Sequence, residues 1–119
     1  MVGDGPEGLT FNHDGTMAAA VLINGSHKAK ADPATAWAYN KNGAVAILKI
    51  DGKKVRKVQH IEVGGMPEGA VFNETGQYLY IGNFKSKDIS ILEVKEGKVI
   101  DTGKVIELNA SPASMGRTK

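Results

Sequence analysis

Cysteine is absent from the 119-residue sequence, which excludes disulfides, thiolate catalysis and cysteine-ligated zinc. The formal net charge is only +2, so no nucleic-acid partner is expected. No apolar run approaches the roughly 20 residues of a membrane-spanning helix, and no membrane partner is expected either. No segment shows the apolar periodicity of a helix. What remains is a globular composition, 41% hydrophobic and 24% charged.

The sequence contains an internal repeat. Residues 2–15 (VGDGPEGLTFNHDG) are matched by residues 63–76 (VGGMPEGAVFNETG), and a third copy begins within residues 108–115 (LNASPASM). Pro67 follows Pro6 by 61 residues, whereas Pro112 follows Pro67 by 45. The shorter spacing is typical of a four-stranded propeller blade, which takes about 40–50 residues. The longer spacing indicates a loop inserted into the first unit.

Each repeat divides into four short segments of strand-like composition. We predict strands at residues 8–12, 17–24, 43–50 and 55–63, and again at 69–73, 78–83, 88–94 and 99–108. The predicted fold class is all-β: a β-propeller segment with two four-stranded antiparallel blades plus a closing strand. The predicted units are 1–62 (a blade with an inserted loop at 25–42), 63–108 (a second blade) and 109–119 (the innermost strand of a further blade and the tail).

The second repeat displays a series of short motifs in order. They are Val-Gly-x-x-Pro-x-Gly at 63–69, Phe-Asn-x-x-Gly at 72–76, Tyr-Leu-Tyr-Ile-x-Asn at 78–83 and Ile-Ser-Ile-Leu at 89–92. This series resembles the YVTN-type repeat of lactonase-like β-propeller proteins. The resemblance implies a ring of about seven blades, of which this chain encodes two.

Two functions follow from the resemblance. One is a non-enzymatic scaffold that binds a ligand or a protein at the propeller channel. The other is a lactonase-like hydrolase acting at that channel. The phosphogluconolactonase branch of the family carries an arginine–histidine pair after its blade proline, whereas the residues here are Glu7, Glu68 and Ala113. We therefore predict no catalytic residues and leave open whether the protein is an enzyme.

The candidate ligand-binding residues are polar side chains at strand ends. Glu7 and Glu68 each follow a repeat proline, where an innermost strand starts near the channel mouth. Together with Asn24 and Asn83 they could bind a hard cation or sugar hydroxyls. Alternatively, the glutamates are solvated and the asparagines bond to local backbone.

No cofactor or metal is predicted. Gly3-x-Gly5-x-x-Gly8 matches the dinucleotide-binding pattern, but that chemistry needs a strand before the glycines and a helix after them. A strand is predicted to follow here. No two histidines have the spacing of metal ligands.

Trp37, the only tryptophan, lies in the inserted loop. It is a candidate to cover a ligand or an interface, or to pin the loop onto its own blade.

Two blades alone would expose two large apolar faces. We therefore expect either a homo-oligomeric ring or the missing remainder of a longer propeller as partner. A small-molecule ligand is a further candidate partner.

Overall fold

The computed structural model describes Gly3, residues 5–27 and residues 39–116, and within them all regular structure is β-strand. The eight strands are β1 (Pro6–Phe11), β2 (Met17–Leu22), β3 (Ala44–Asp51), β4 (Lys54–Glu62), β5 (Pro67–Phe72), β6 (Tyr78–Asn83), β7 (Asp88–Lys95) and β8 (Lys98–Glu107). They form two antiparallel sheets, blade 1 (β1-β2-β3-β4) and blade 2 (β5-β6-β7-β8). The predicted all-β class with two four-stranded sheets is confirmed, and all eight strand positions were predicted to within two residues.

The two blades share their irregularities as well as their strand order. The β1–β2 pairing shifts between Pro6 and Gly8, and the β5–β6 pairing shifts between Pro67 and Gly69. The β3–β4 and β7–β8 pairings also shift at one matching point, between residues 47 and 48 in blade 1 and between residues 91 and 92 in blade 2. Each residue of one blade can therefore be compared with its counterpart in the other.

The Phe-Asn-x-x-Gly motif forms the turn between the first two strands of each blade. Asn12 Oδ1 accepts a hydrogen bond from the Met17 N–H at 3.0 Å, and Asn73 Oδ1 accepts one from the Tyr78 N–H at 3.0 Å. The glycine of the motif has φ near 74° in both blades, a value that side-chain-bearing residues rarely adopt. The asparagine and the glycine of the repeat are thus explained by turn geometry.

In the first of these turns, Asp14 accepts hydrogen bonds from the Thr16 hydroxyl at 2.6 Å and the Thr16 N–H at 3.0 Å. These two bonds favour the carboxylate and lower the pKa of Asp14 below its ordinary value.

The hydrophobic core lies between the two blades. It is built from buried side chains of β2 and β3 on one side and of β5 to β8 on the other: Met17, Ala19, Val21, Val45, Ile47, Phe72, Leu79, Ile81, Leu92 and Val99, with Val63 from the connection. The edge strands β1 and β5 lie beside each other, as the innermost strands of adjacent propeller blades do. At the junction, a Cβ on Gly43 would lie 2.3 Å from Pro67 Cδ, so only glycine allows this approach.

The closing strand predicted after β8 is not confirmed by the described part of that segment. Residues 111–116 have no strand conformation. Pro112 and Met115 instead pack over Gly69 and Gly82, on the face of blade 2 that points away from blade 1. The further blade predicted to begin here therefore stays a prediction.

Candidate binding surfaces

The face of blade 1 that points away from blade 2 is apolar and partly open. Phe11 is the counterpart of Phe72 in the repeat, but Phe11 is 52% exposed whereas Phe72 is 1% exposed. Phe72 is buried because blade 1 packs against it. Phe11 is also a phenylalanine at the equivalent position of its blade, but within the described residues no blade packs against it. We call this surface, formed around Leu9 and Phe11, the open face of blade 1.

A shallow apolar pocket of about 350 Å³ lies on the open face. Its lining consists of β1 residues and of side chains from β2 and β3: Pro6, Glu7, Gly8, Leu9, Ala20 and Leu48. The structure therefore places the predicted ligand residue Glu7 at an apolar pocket on the side of a blade. Glu7 itself is exposed.

Glu7 and Glu68 occupy equivalent positions on adjacent strands. Glu68 is partly buried, and a Cβ on Gly8 would lie 3.1 Å from the Glu68 carbonyl oxygen, so β1 and β5 run in close contact here. Across Gly3, residues 5–27 and residues 39–116, no three acidic or histidine side chains are grouped so that they could hold a metal ion. The two glutamates remain candidates for contacting a ligand at the mouth of a channel.

Asn83 belongs to a buried polar group. Its Nδ2 donates to Asp88 Oδ1 at 2.8 Å and to Ser90 Oγ at 2.9 Å. The side chain is fully buried and Oδ1 has no hydrogen-bond partner. Asn83 is therefore a part of the blade interior in this structure, and it would reach a ligand only after rearrangement.

The counterparts of this polar group in blade 1 are apolar. Leu22, Ala44 and Ala46 pair in the same register as Asn83, Asp88 and Ser90, and they form a small hydrophobic cluster. One scaffold thus accepts either set of residues. Folding of the blade does not by itself require polar residues at these positions, so the polar residues of blade 2 suggest an additional role.

A polar cleft of about 390 Å³ lies directly beside the polar group, between the two blades. Asp88 and Ser90 line it together with residues of both blades and their connections: Lys41, Asn42, Glu62, Val63, Gly64, Ser86, Asp101, Gly103 and Val105. Asn42 Nδ2 donates to Glu62 Oε1 at 3.0 Å, which holds that carboxylate at the cleft. The cleft offers an ammonium group, an amide and carboxylates within one small volume.

A second polar network connects the loops at the same end of the blades. Lys85 Nζ donates to the Ser26 carbonyl at 3.0 Å and lies 5.5 Å from the centre of the Tyr39 ring. The Ser26 hydroxyl is buried and accepts a hydrogen bond from the Met66 N–H at 2.8 Å. Asn24 lies beside this network with its carbonyl bonded to Asn40 Nδ2 at 2.8 Å. This bond uses the Asn24 main chain, so the predicted ligand-binding role of the Asn24 side chain stays a prediction.

Trp37 lies outside the described residues, so its predicted role stays a prediction.

Sequence reasoning missed the side chain that links the outer strands. Gln59 Nε2 donates to the Val99 carbonyl at 2.8 Å, and Gln59 Oε1 accepts from the Val99 N–H at 2.8 Å. The amide of a side chain in blade 1 thus pairs with the backbone of the outermost strand of blade 2. A single glutamine in a polar edge strand gives no sequence signal of such a role.

Comparisons with known proteins give no family model and no curated protein that matches this chain. The matching solved structures include a candidate 6-phosphogluconolactonase from Bacteroides fragilis, with 24% identity and a TM-score of 0.59 over 94% of this chain. A second candidate 6-phosphogluconolactonase, from Bacteroides uniformis, matches with 19% identity and a TM-score of 0.57 over 91%. Hydrazine synthase from Kuenenia stuttgartiensis matches with 19% identity and a TM-score of 0.65 over 96%.

These similarities show the fold: the chain is an all-β, propeller-type protein with two blades. The chain spans 41% and 42% of the two candidate lactonase chains and 26% of the hydrazine synthase chain. Within the part of the chain that the structure describes, no helix is long and apolar enough to cross a membrane.

Proposed function

We propose that this chain supplies two blades of a larger propeller ring, which serves as a binding scaffold. The observation that carries the proposal is the contrast between Phe72, buried against a neighbouring blade, and Phe11, exposed at the same position without one. Burying a phenylalanine side chain stabilises a protein by about 1.5–3 kcal/mol. The open face is therefore built to be covered by a blade.

Further blades can come from other parts of a longer chain or from other copies. The segment at Pro112 and Met115 supports a continuation on the other side, because it packs on β5 and β6 where the innermost strand of a next blade would lie. The rear face of blade 2 is otherwise only half covered: Ile89 and Ile91 are half-buried, whereas their blade 1 counterparts in β3 are fully buried.

We further propose that the scaffold binds a small hydroxylated ligand in the polar cleft between the blades. Carboxylates and an amide can accept and donate hydrogen bonds to several hydroxyl groups at once. Glu62 is the cleft residue best suited to a test because it belongs to the rim and not to the buried group of Asn83. Glu7 and Glu68 form the competing site at the channel mouth.

Titration calorimetry with gluconate as the probe tests this binding proposal. Glu62→Gln keeps the shape of the side chain and removes its charge, and Glu68→Gln does the same at the channel mouth. Weaker binding for Glu62→Gln alone supports the cleft, and weaker binding for Glu68→Gln alone supports the channel. No heat with the wild-type chain under conditions where it is folded would contradict both sites.

A lactonase-like hydrolase is the second candidate function. It is favoured by the names of two of the structural neighbours, both candidate 6-phosphogluconolactonases. The scaffold proposal predicts that the chain does not accelerate the hydrolysis of glucono-δ-lactone above its spontaneous rate. An acceleration that is lost on Glu68→Gln or Glu62→Gln would favour the hydrolase and locate its site.

A further inference from the structure

The bond between Gln59 and Val99 is an inter-blade link with unusual geometry. Both polar groups of the Gln59 amide bond to one residue, the donor to the carbonyl and the acceptor to the N–H of Val99, each at 2.8 Å. A side-chain amide thereby imitates the pairing of a neighbouring strand at the free edge of β8. Val99 is 2% exposed, so both backbone groups would lose hydrogen bonding if the amide were absent.

Val55 is the counterpart of Val99 in blade 1. Val55 pairs with Ile50 in the β3–β4 ladder, as Val99 pairs with Val94 in the β7–β8 ladder. The N–H of Ile50 donates to the Thr16 carbonyl, away from β4. Since the N–H and C=O of one strand residue point to the same side, the backbone groups of Val55 face away from β3. They lie at the outer edge of blade 1, and the Val55 side chain is 59% exposed.

We infer that the outer edge of blade 1 at Val55 is a docking position for the side-chain amide of another propeller blade. The partner is a blade that carries a glutamine at the position of Gln59 and covers the open face with apolar side chains, as blade 1 itself does for blade 2. This inference rests on the proposed function. It adds a chemical rule for which blade can be the neighbour.

The requirement for a glutamine distinguishes between possible neighbours, because blade 2 lacks a glutamine at this position. In the β7–β8 ladder the counterpart of Gln59 is Lys104, which pairs with Ile91 as Gln59 pairs with Ile47. A lysine can donate to the Val55 carbonyl but cannot accept from the Val55 N–H. A second copy of this chain, docked head to tail, would leave that N–H unpaired. The preferred neighbour is therefore a different blade.

The test converts this chain into its own preferred partner. Lys104→Gln gives blade 2 the missing amide, and Lys104→Met removes the same charge without supplying a donor and an acceptor. Association is measured by sedimentation velocity over a range of concentrations. Two added hydrogen bonds should strengthen head-to-tail association of Lys104→Gln roughly tenfold over Lys104→Met. The tail around Pro112 is the same in both variants.

A second substitution locates the effect. Val55→Pro removes the N–H that the amide would use, and proline is tolerated at a sheet edge where the N–H makes no ladder bond. Val55→Pro keeps the carbonyl but loses the N–H, so it should reduce the gain of Lys104→Gln while leaving the fold intact. Hydrogen exchange should show slow exchange at Val99 in every variant and slow exchange at Val55 only in associated Lys104→Gln.

The outcomes separate this inference from the proposed function. If Lys104→Gln associates no more strongly than Lys104→Met, or if Val55→Pro leaves its gain unchanged, the docking rule is wrong. If the wild-type chain is in addition a monomer that exposes no apolar surface to a hydrophobic dye, the proposed function is wrong as well. A wild-type chain that associates through Phe11, with no gain from Lys104→Gln, overturns the docking rule alone.

Discussion

Phe11 and Phe72 occupy the same position in two copies of one repeat, yet Phe11 is 52% exposed and Phe72 is 1% exposed. Sequence and strand register are alike at both positions, so the neighbouring blade accounts for the difference. Phe72 shows what the open face around Phe11 looks like when it is covered. This relation underlies the proposal that the chain works as a part of a larger ring.

The same two residues should differ in their contribution to stability. Phe72→Ala removes a fully buried ring from the core between the blades, which should lower the free energy of unfolding by about 3–5 kcal/mol. Phe11→Ala removes an exposed ring and should change it by less than about 0.5 kcal/mol. Urea denaturation of both variants checks this. Equal losses would mean that the open face is already covered.

Gly43 should not tolerate a methyl group. A Cβ there would lie 2.3 Å from Pro67 Cδ and 2.5 Å from the Leu22 carbonyl oxygen, so the junction of the blades would have to move apart. Gly43→Ala should cost about 1–3 kcal/mol. Gly116→Ala is the matched control, because its Cβ meets no atom within 4 Å. Thermal unfolding of both variants compares them, and equal melting temperatures would contradict the close approach.

The polar group of Asn83, Asp88 and Ser90 should tolerate replacement by apolar residues only when all three are replaced together. Asn83→Leu leaves Asp88 and the buried Ser90 without their partner and should cost about 1–3 kcal/mol. The triple variant Asn83→Leu, Asp88→Ala, Ser90→Ala copies the apolar set of blade 1 and should unfold within about 1 kcal/mol of wild type. Denaturant titration measures both. If the triple variant also loses the binding of gluconate, the polar group serves the cleft and not the fold.

Gln59 should contribute to stability although it lies on an outer strand. Gln59→Met keeps the length of the side chain but leaves the buried N–H and carbonyl of Val99 without partners, which should cost about 1–3 kcal/mol. Faster hydrogen exchange at Val99 is the specific signature. Unchanged exchange at that amide would show that the bond contributes nothing in solution.

The strand pattern was predictable because local signals repeat. The turns at Asn12 and Asn73, with their positive-φ glycines, fix where the first strand of each blade ends. The prolines mark where the same strands begin. A sequence signal that occurs in both repeats is stronger evidence for a strand than one that occurs once. For this reason all eight predicted strands agree with the strands in the structure.

The candidate sites could not be predicted equally well, because they depend on how the blades face each other. The burial of Asn83 follows from its register with Asp88 and Ser90, which a motif ending in asparagine does not reveal. The link from Gln59 to Val99 spans 40 positions and involves one backbone and one side chain. The predicted closing strand has no pairing partner within the described residues, so its segment shows no strand conformation.

The most direct test of the central claim is the solution mass of the chain, measured by light scattering over a range of concentrations. We predict a mass that rises above 12.6 kDa with concentration and returns to the monomer value for Phe11→Asp. The control Phe84→Asp changes an exposed phenylalanine in a turn and should leave the association unchanged. A sharp 12.6 kDa monomer at all concentrations, with cooperative unfolding and no binding of a hydrophobic dye, would contradict the account.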